Sequence, residues 1–140
     1  MKKLIIILVA LAFISTATAQ NKYKIIVNNS NSVSALSKAD ISKYFLKKIT
    51  SWSNGSEIMP VDQTDNNSVR EDFSQDIHGK SVAAIKSYWQ VKIFSGRAVP
   101  PPMAGSDKDV IEFVRSNPAA IGYVKAGVST SGVKVIDVTD

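Results

Sequence analysis

Six consecutive polar residues, Asp62 to Asn67, run into Ser68-Val69-Arg70-Glu71, and no aliphatic side chain interrupts them before Val69. That composition marks a loop. Helical periodicity then begins, with Val69, Phe73 and Ile77 spaced by four on one face. Ser68 followed three residues later by Glu71 matches a capping box, in which the hydroxyl accepts from a first-turn amide and the carboxylate reaches back. Ser68 is therefore the expected N-cap. A helix start presents unpaired backbone amides and the positive end of the macrodipole, so it favours a small anion. Arg70 would add charge in the first turn. The candidate site is thus Thr64, Asp65, Asn66, Asn67, Ser68 and Arg70. A second reading of the same residues stays open: a solvated connection followed by an ordinarily capped helix.

Other chemistries find less support. His78 is the only histidine and there is no cysteine, which removes histidine-rich zinc sites, thiol catalysis and any disulfide framework. Its place beside Gly79 fits a residue that caps a helix end or complements the dipole. No Gly-x-Ser-x-Gly elbow is present. Asp62, Asp65, Asn66 and Asn67 do not follow the spacing of a calcium loop. Neither an enzyme, a metal site nor a cofactor is expected. The Asn-x-Ser triplets at Asn28, Asn54 and Asn66 matter only in a glycosylating host.

The elements that must hold the turn follow from pattern. Lys2 and Lys3, the apolar run from Leu4 to Ile14 and the triplet Ala17-Thr18-Ala19 read as a secretory signal peptide over residues 1–19. Its apolar run is shorter than the roughly 20 residues that span a bilayer. Residues 20–140 then form one domain, periplasmic or secreted, with no membrane insertion after signal removal. Without Lys2 and Lys3 the 17 basic residues become 15 against 12 acidic ones, a mildly basic balance of +3. The cations are scattered and no aromatic-interleaved basic stripe occurs, so nucleic acid is not an expected partner.

Tyr23 to Val27 reads as a strand, and Ser37 with Asp40 opens a helix that turns Ile41, Tyr44 and Phe45 to one side. Asn54-Gly55 marks a tight turn, and Trp52 fits core or lip packing. Ile58 to Val61 is a short strand before the polar turn. A helix over 69–77 ends at Gly79, and another over 81–93 carries Val82, Ile85, Trp89 and Ile93 as its apolar positions. Pro100 to Pro102 form a stiff extended strap. Ser106 and Asp109 open the last helix, with Val110, Phe113 and Val114 as its stripe, and Asn117-Pro118 stops it. Ala119 to Val124 is a strand whose Gly122 allows close approach, and Val133 to Val138 is a final strand. Arg97 either points into a cleft or caps carbonyls, while Tyr123 fits core packing better than a cleft lining. Strands interleaved with helices predict an α/β domain with a mixed sheet.

Several segments, Leu36 to Phe45, Lys48 to Trp52, Ser87 to Trp89, Ile93 to Arg97 with Pro100 to Pro102, and Asn117 to Val124, resemble the phosphate-binding receptors of ABC transporters, in particular the short exported members. The resemblance covers nearly all of residues 20–140. It implies a type II periplasmic-binding-protein-like fold, here a single lobe with its mixed sheet flanked by helices. It also implies a phosphate or similar small oxyanion as ligand, and an ABC permease or another envelope protein as partner. In the family, the strand-turn-helix of this lobe carries an arginine, an Asp and a Ser-Gly-Thr-like turn. Asp65 matches that Asp, Thr64 stands at a usual serine, and Ser68 keeps a hydroxyl nearby. Gln63 replaces the arginine and Val69 replaces a hydroxyl residue, which removes one charge-assisted contact and one donor. The rival expectation is an envelope interaction module that has lost its ligand and docks on a protein.

Overall fold

A computed structural model describes residues 21–140, and the signal peptide expected over residues 1–19 lies outside the described residues. The order is β1 (Tyr23–Val27), β2 (Ala35–Ser37), α1 (Lys38–Phe45), β3 (Met59–Pro60), β4 (Asp62–Gln63), α2 (Ser68–Phe73), a π-helical turn (Ser74–His78), α3 (Val82–Phe94), β5 (Met103–Ala104), α4 (Asp107–Ser116), β6 (Ala120–Lys125) and β7 (Lys134–Thr139). Five strands form a mixed sheet in the order β2-β7-β1-β6-β3, and β4 and β5 form a parallel pair. Strand β1 runs antiparallel to both of its neighbours, whereas β2 with β7 and β3 with β6 are parallel.

Both faces of the sheet are covered, which is why Ile25-Ile26-Val27 and Ala120 to Val124 are continuous apolar runs rather than alternating ones. Successive side chains point to opposite faces. Ile25, Val27, Ile121 and Tyr123 pack with Ile41, Phe45, Phe73 and Ile77 from α1, α2 and the π-helical turn. Ile26, Ala120 and Val124 pack with Val61 and with Val110 and Val114 of α4. Gly122 is required there: a Cβ at this position would stand 2.7 Å from Val110 Cγ1 and 2.9 Å from Val61 Cγ1.

Ser37 and Ser106 cap their helices as the sequence predicts, accepting from the amides of Asp40 and Asp109. Ser81, read from sequence as the first helical residue, is instead the N-cap of α3 and accepts from the Ala84 amide. Helix α2 differs. Its N-cap is Asn67, without a side-chain cap bond, and Ser68 is the first helical residue. Glu71 does not reach back; it accepts from Gln75 and from the Val82 amide instead, so there is no capping box here. Asn67 is drawn away from capping because its Nδ2 donates across the turn to Gln63 Oε1 and the Gly105 carbonyl.

Gly79 terminates the second helical segment in the left-handed region, as expected, but the last turn before it is π-helical. That wider turn carries Asp76 to Tyr23 and Lys38, and His78 to Ser42 of α1. His78 is not a dipole-complementing cation. Burial, and then the nearby charges of Lys80, Arg70 and Lys48, push its pKa down to about 4, so it is neutral at pH 7. Its Nδ1 lies 2.7 Å from Ser42 Oγ and its ring meets Phe73 edge-on. Trp52 is buried and its indole N–H donates to the Ala119 carbonyl over 2.9 Å. Ile93, expected in the core, is exposed, because α3 buries Ile85 and Trp89, with Tyr88 beside them, and its last turn lies beyond that contact. Ala35–Ser37, read from sequence as the approach to α1, is a strand paired with β7.

Candidate functional site

The polar turn sits where one extended stretch changes sheets. Val61 still donates to the Ile121 carbonyl of β6, while Asp62 and Thr64 donate to the Pro102 and Ala104 carbonyls beside them. Pro100 to Pro102 therefore deliver β5 alongside β4. The chain leaves this pair at Thr64, turns, and enters α2.

Within the turn the predicted residues are brought together. Thr64 Oγ1 donates to Asn66 Oδ1 over 2.6 Å, and the Asn67 amide closes onto the Thr64 carbonyl. Asn66 and Ser68 are exposed, and Thr64 and Asn67 are half-buried. Among the described residues the amides of Ser68 and Val69, at the start of α2, have no acceptor. Arg70 is buried: its guanidinium folds back beneath the turn, with Nη1 donating to the Gln63 carbonyl over 3.0 Å and to the Asp65 carboxylate. Asp65 also accepts from Lys86 of α3 over 2.6 Å. The Lys86 bond, followed by the charge of Arg70, lowers the Asp65 pKa below the usual carboxylate range.

Beneath lies a buried layer whose residues the sequence named separately but did not bring together; Tyr123, read as core, is buried in it. Asp62 is buried, accepting from Tyr123 Oη and, over 2.8 Å, from the Gln63 amide, with Arg70 Nε 3.8 Å away. Burial pushes its carboxyl pKa up, and Arg70 only partly offsets that. Tyr123 stacks on Phe73 with ring centroids 3.8 Å apart, and burial and Asp62 push its phenol well above the ordinary tyrosine value. Gln63 is fully enclosed. Its Nε2 donates to the Tyr123 carbonyl and to Asp107 Oδ1, each over 2.9 Å, and its Oε1 accepts from Asn67. A buried amide with every group paired is a structural tie, and here it joins β4, β6, α4 and the turn. Adjacent acidic and amide residues in the sequence were the only available hint. Arg97, at the end of α3, is exposed and lies outside this group.

The charges balance. Asp62 and Asp65 face Arg70 and Lys86, so the turn has no net charge of its own, and what it offers an anion is hydroxyls, amides and the helix start.

No family model matches the sequence, and no curated protein does. Solved structures do match. The chain has the α/β fold of a single lobe of type II periplasmic-binding proteins. Its structural neighbours are phosphate ABC transporter substrate-binding proteins. A Clostridium perfringens protein described by that function and solved with bound phosphate matches with a TM-score of 0.67 at 20% identity, covering 84% of this chain and 44% of its own. An ABC-type phosphate transport receptor from Vibrio cholerae matches at 0.66 and 19%, covering 84% and 46%. PstS from Borrelia burgdorferi matches at 0.60 and 17%, covering 85% and 47%. The chain thus spans less than half the length of the structures it matches. Among the described residues no helix is long and apolar enough to cross a membrane.

Proposed function

We propose that this chain is an exported, non-enzymatic solute-binding-like domain, linked to phosphate ABC transport, whose turn from Thr64 to Arg70 receives phosphate or a similar small oxyanion. One observation carries this reading: the unpaired amides of Ser68 and Val69 open α2 beside the exposed Ser68 and Asn66 side chains, with the Arg70 guanidinium beneath. Amides at a helix start attract anions. A lone lobe leaves the anion hydrated, and its pairing energy falls as the effective dielectric rises. A second wall, from a partner or a second copy, would complete the site.

A rival reading has its own support. Asp65 already occupies both Arg70 and Lys86, and Gln63 is locked inside the fold. A lobe with its cations so engaged suits a module that docks on an envelope protein. Thermal unfolding of residues 20–140 with phosphate, sulfate and chloride at matched ionic strength separates the two. Ligand at a hundred times its dissociation constant stabilises by about 2.7 kcal/mol. A phosphate-selective rise supports the receptor; equal curves in all three salts support the docking module.

A further inference from the structure

From Ile77 to Ser106, thirty residues contain Lys80, Lys86, Lys92 and Arg97 and no Asp or Glu. The same stretch holds the most exposed large apolar side chains among the described residues. Phe94 is 92% exposed, Val91 and Val99 67% each, and Ile93 53%. They gather where α3 ends, at the turn made by Gly96 with its positive φ. Helix α3 turns Ile85 and Trp89 toward the body, and Val91 and Phe94, three residues apart, share the opposite face. Cations ring this tip. Lys92 and, from the end of α1, Lys48 both lie over the Tyr88 ring, at 5.4 Å and 5.9 Å, and Arg97 follows the turn. Among the described residues no carboxylate pairs with Lys48, Lys92 or Arg97.

We propose that this tip is a peripheral membrane contact: Phe94, Val91, Ile93 and Val99 enter the headgroup boundary of an anionic bilayer while Lys48, Lys92 and Arg97 pair with its lipid phosphates. The charge selects the partner. A second copy would bring Lys92 and Arg97 against their own kind, whereas an anionic surface complements them. Exposure selects the bilayer over an acidic protein. A phenyl ring 92% exposed beside three other exposed aliphatic side chains fits a deformable apolar medium that can enclose it. Apolar tips rimmed by cations bind interfaces in this way without crossing them. The inference is independent of the oxyanion site, which lies at the other end of the Lys86–Asp65 contact.

The test is co-sedimentation of residues 20–140 with phosphatidylcholine vesicles, with and without phosphatidylglycerol. Binding is expected only when the anionic lipid is present, and it should weaken as salt is added. Replacing Lys92 and Arg97 together by alanine should lower partitioning about 25-fold, from roughly fivefold for each cation near such a surface. Phe94→Ser should lower it about tenfold and leave the unfolding temperature unchanged, since the ring packs on almost nothing. Absence of vesicle binding, equal binding to both lipids, or full binding by Phe94→Ser would each overturn the proposal. So would a dimer that Phe94→Ser dissolves while vesicles are ignored, which would assign the tip to a second copy.

Discussion

Asp65→Asn is the substitution that bears most directly on the oxyanion reading. In the native turn the Asp65 carboxylate accepts from both Arg70 and Lys86, and with Asp62 it cancels the two cations. An arriving phosphate therefore competes with Asp65 for the same positive charge. Asparagine keeps the shape and leaves the turn one unit more positive. The Asp65 side chain is 44% exposed, so an effective dielectric between that of the surface and that of water applies. Taking about 40 for it and roughly 6 Å to the anion gives about 1.4 kcal/mol, or a tenfold gain in affinity. Titrating phosphate into both proteins, by calorimetry or by the rise in unfolding temperature, measures the difference. The gain should shrink with added salt, as an exposed charge effect must. Unchanged affinity in the variant would place any phosphate contact away from this turn. A loss would mean that Asp65 itself holds the ligand, and the charge competition argued above would be wrong.

Two further outcomes follow from the packing. His78 has its folded pKa depressed to about 4 against 6.5, so on acidification the unfolded chain takes up a proton first and stability falls as pH drops from 6.5 toward 4. At about 1.4 kcal/mol per unit the loss is on the order of 2 to 3 kcal/mol. Asp62, with its carboxyl raised, works in the opposite sense, so urea unfolding at pH 7 and 4.5 should compare native protein with His78→Gln; parallel losses in the two would refute the assignment. Gly122→Ala should destabilise by about 1 to 3 kcal/mol through overpacking against Val110 and Val61. A thermal melt that does not move would show that these valines can shift aside.

Much of this fold was legible in the residues themselves. Apolar runs at Tyr23 to Val27 and Ala120 to Val124 gave the central strands, serine caps at Ser37 and Ser106 gave two helix starts, and Gly79 gave a stop, because backbone sterics and local hydrogen bonds are decided within a few residues. Gly122 was readable as a close approach, although the side chains that approach it, Val110 and Val61, come from distant segments. The polar turn from Thr64 to Ser68 was also evident from composition. What a linear reading could not supply was competition between distant partners. The capping box at Ser68 and Glu71 fails because Gln63 and Gly105 claim Asn67 and because Gln75 and Val82 claim Glu71. His78 is neutral because the fold buries it against Ser42 of α1 and sets the charges of Lys80, Arg70 and Lys48 near it. Arg70 turns inward because the fold sets Asp62, Asp65 and the Gln63 carbonyl around it, and Lys86 reaches the same carboxylate from another helix. The sequence by itself determined the central strands, the main helices and the tight turns, but not the short strands β2 and β4, which exist only through their partners β7 and β5. The tertiary structure decided which charges and caps remain available, since burial and long-range pairing fix both the cost and the partner of every polar group.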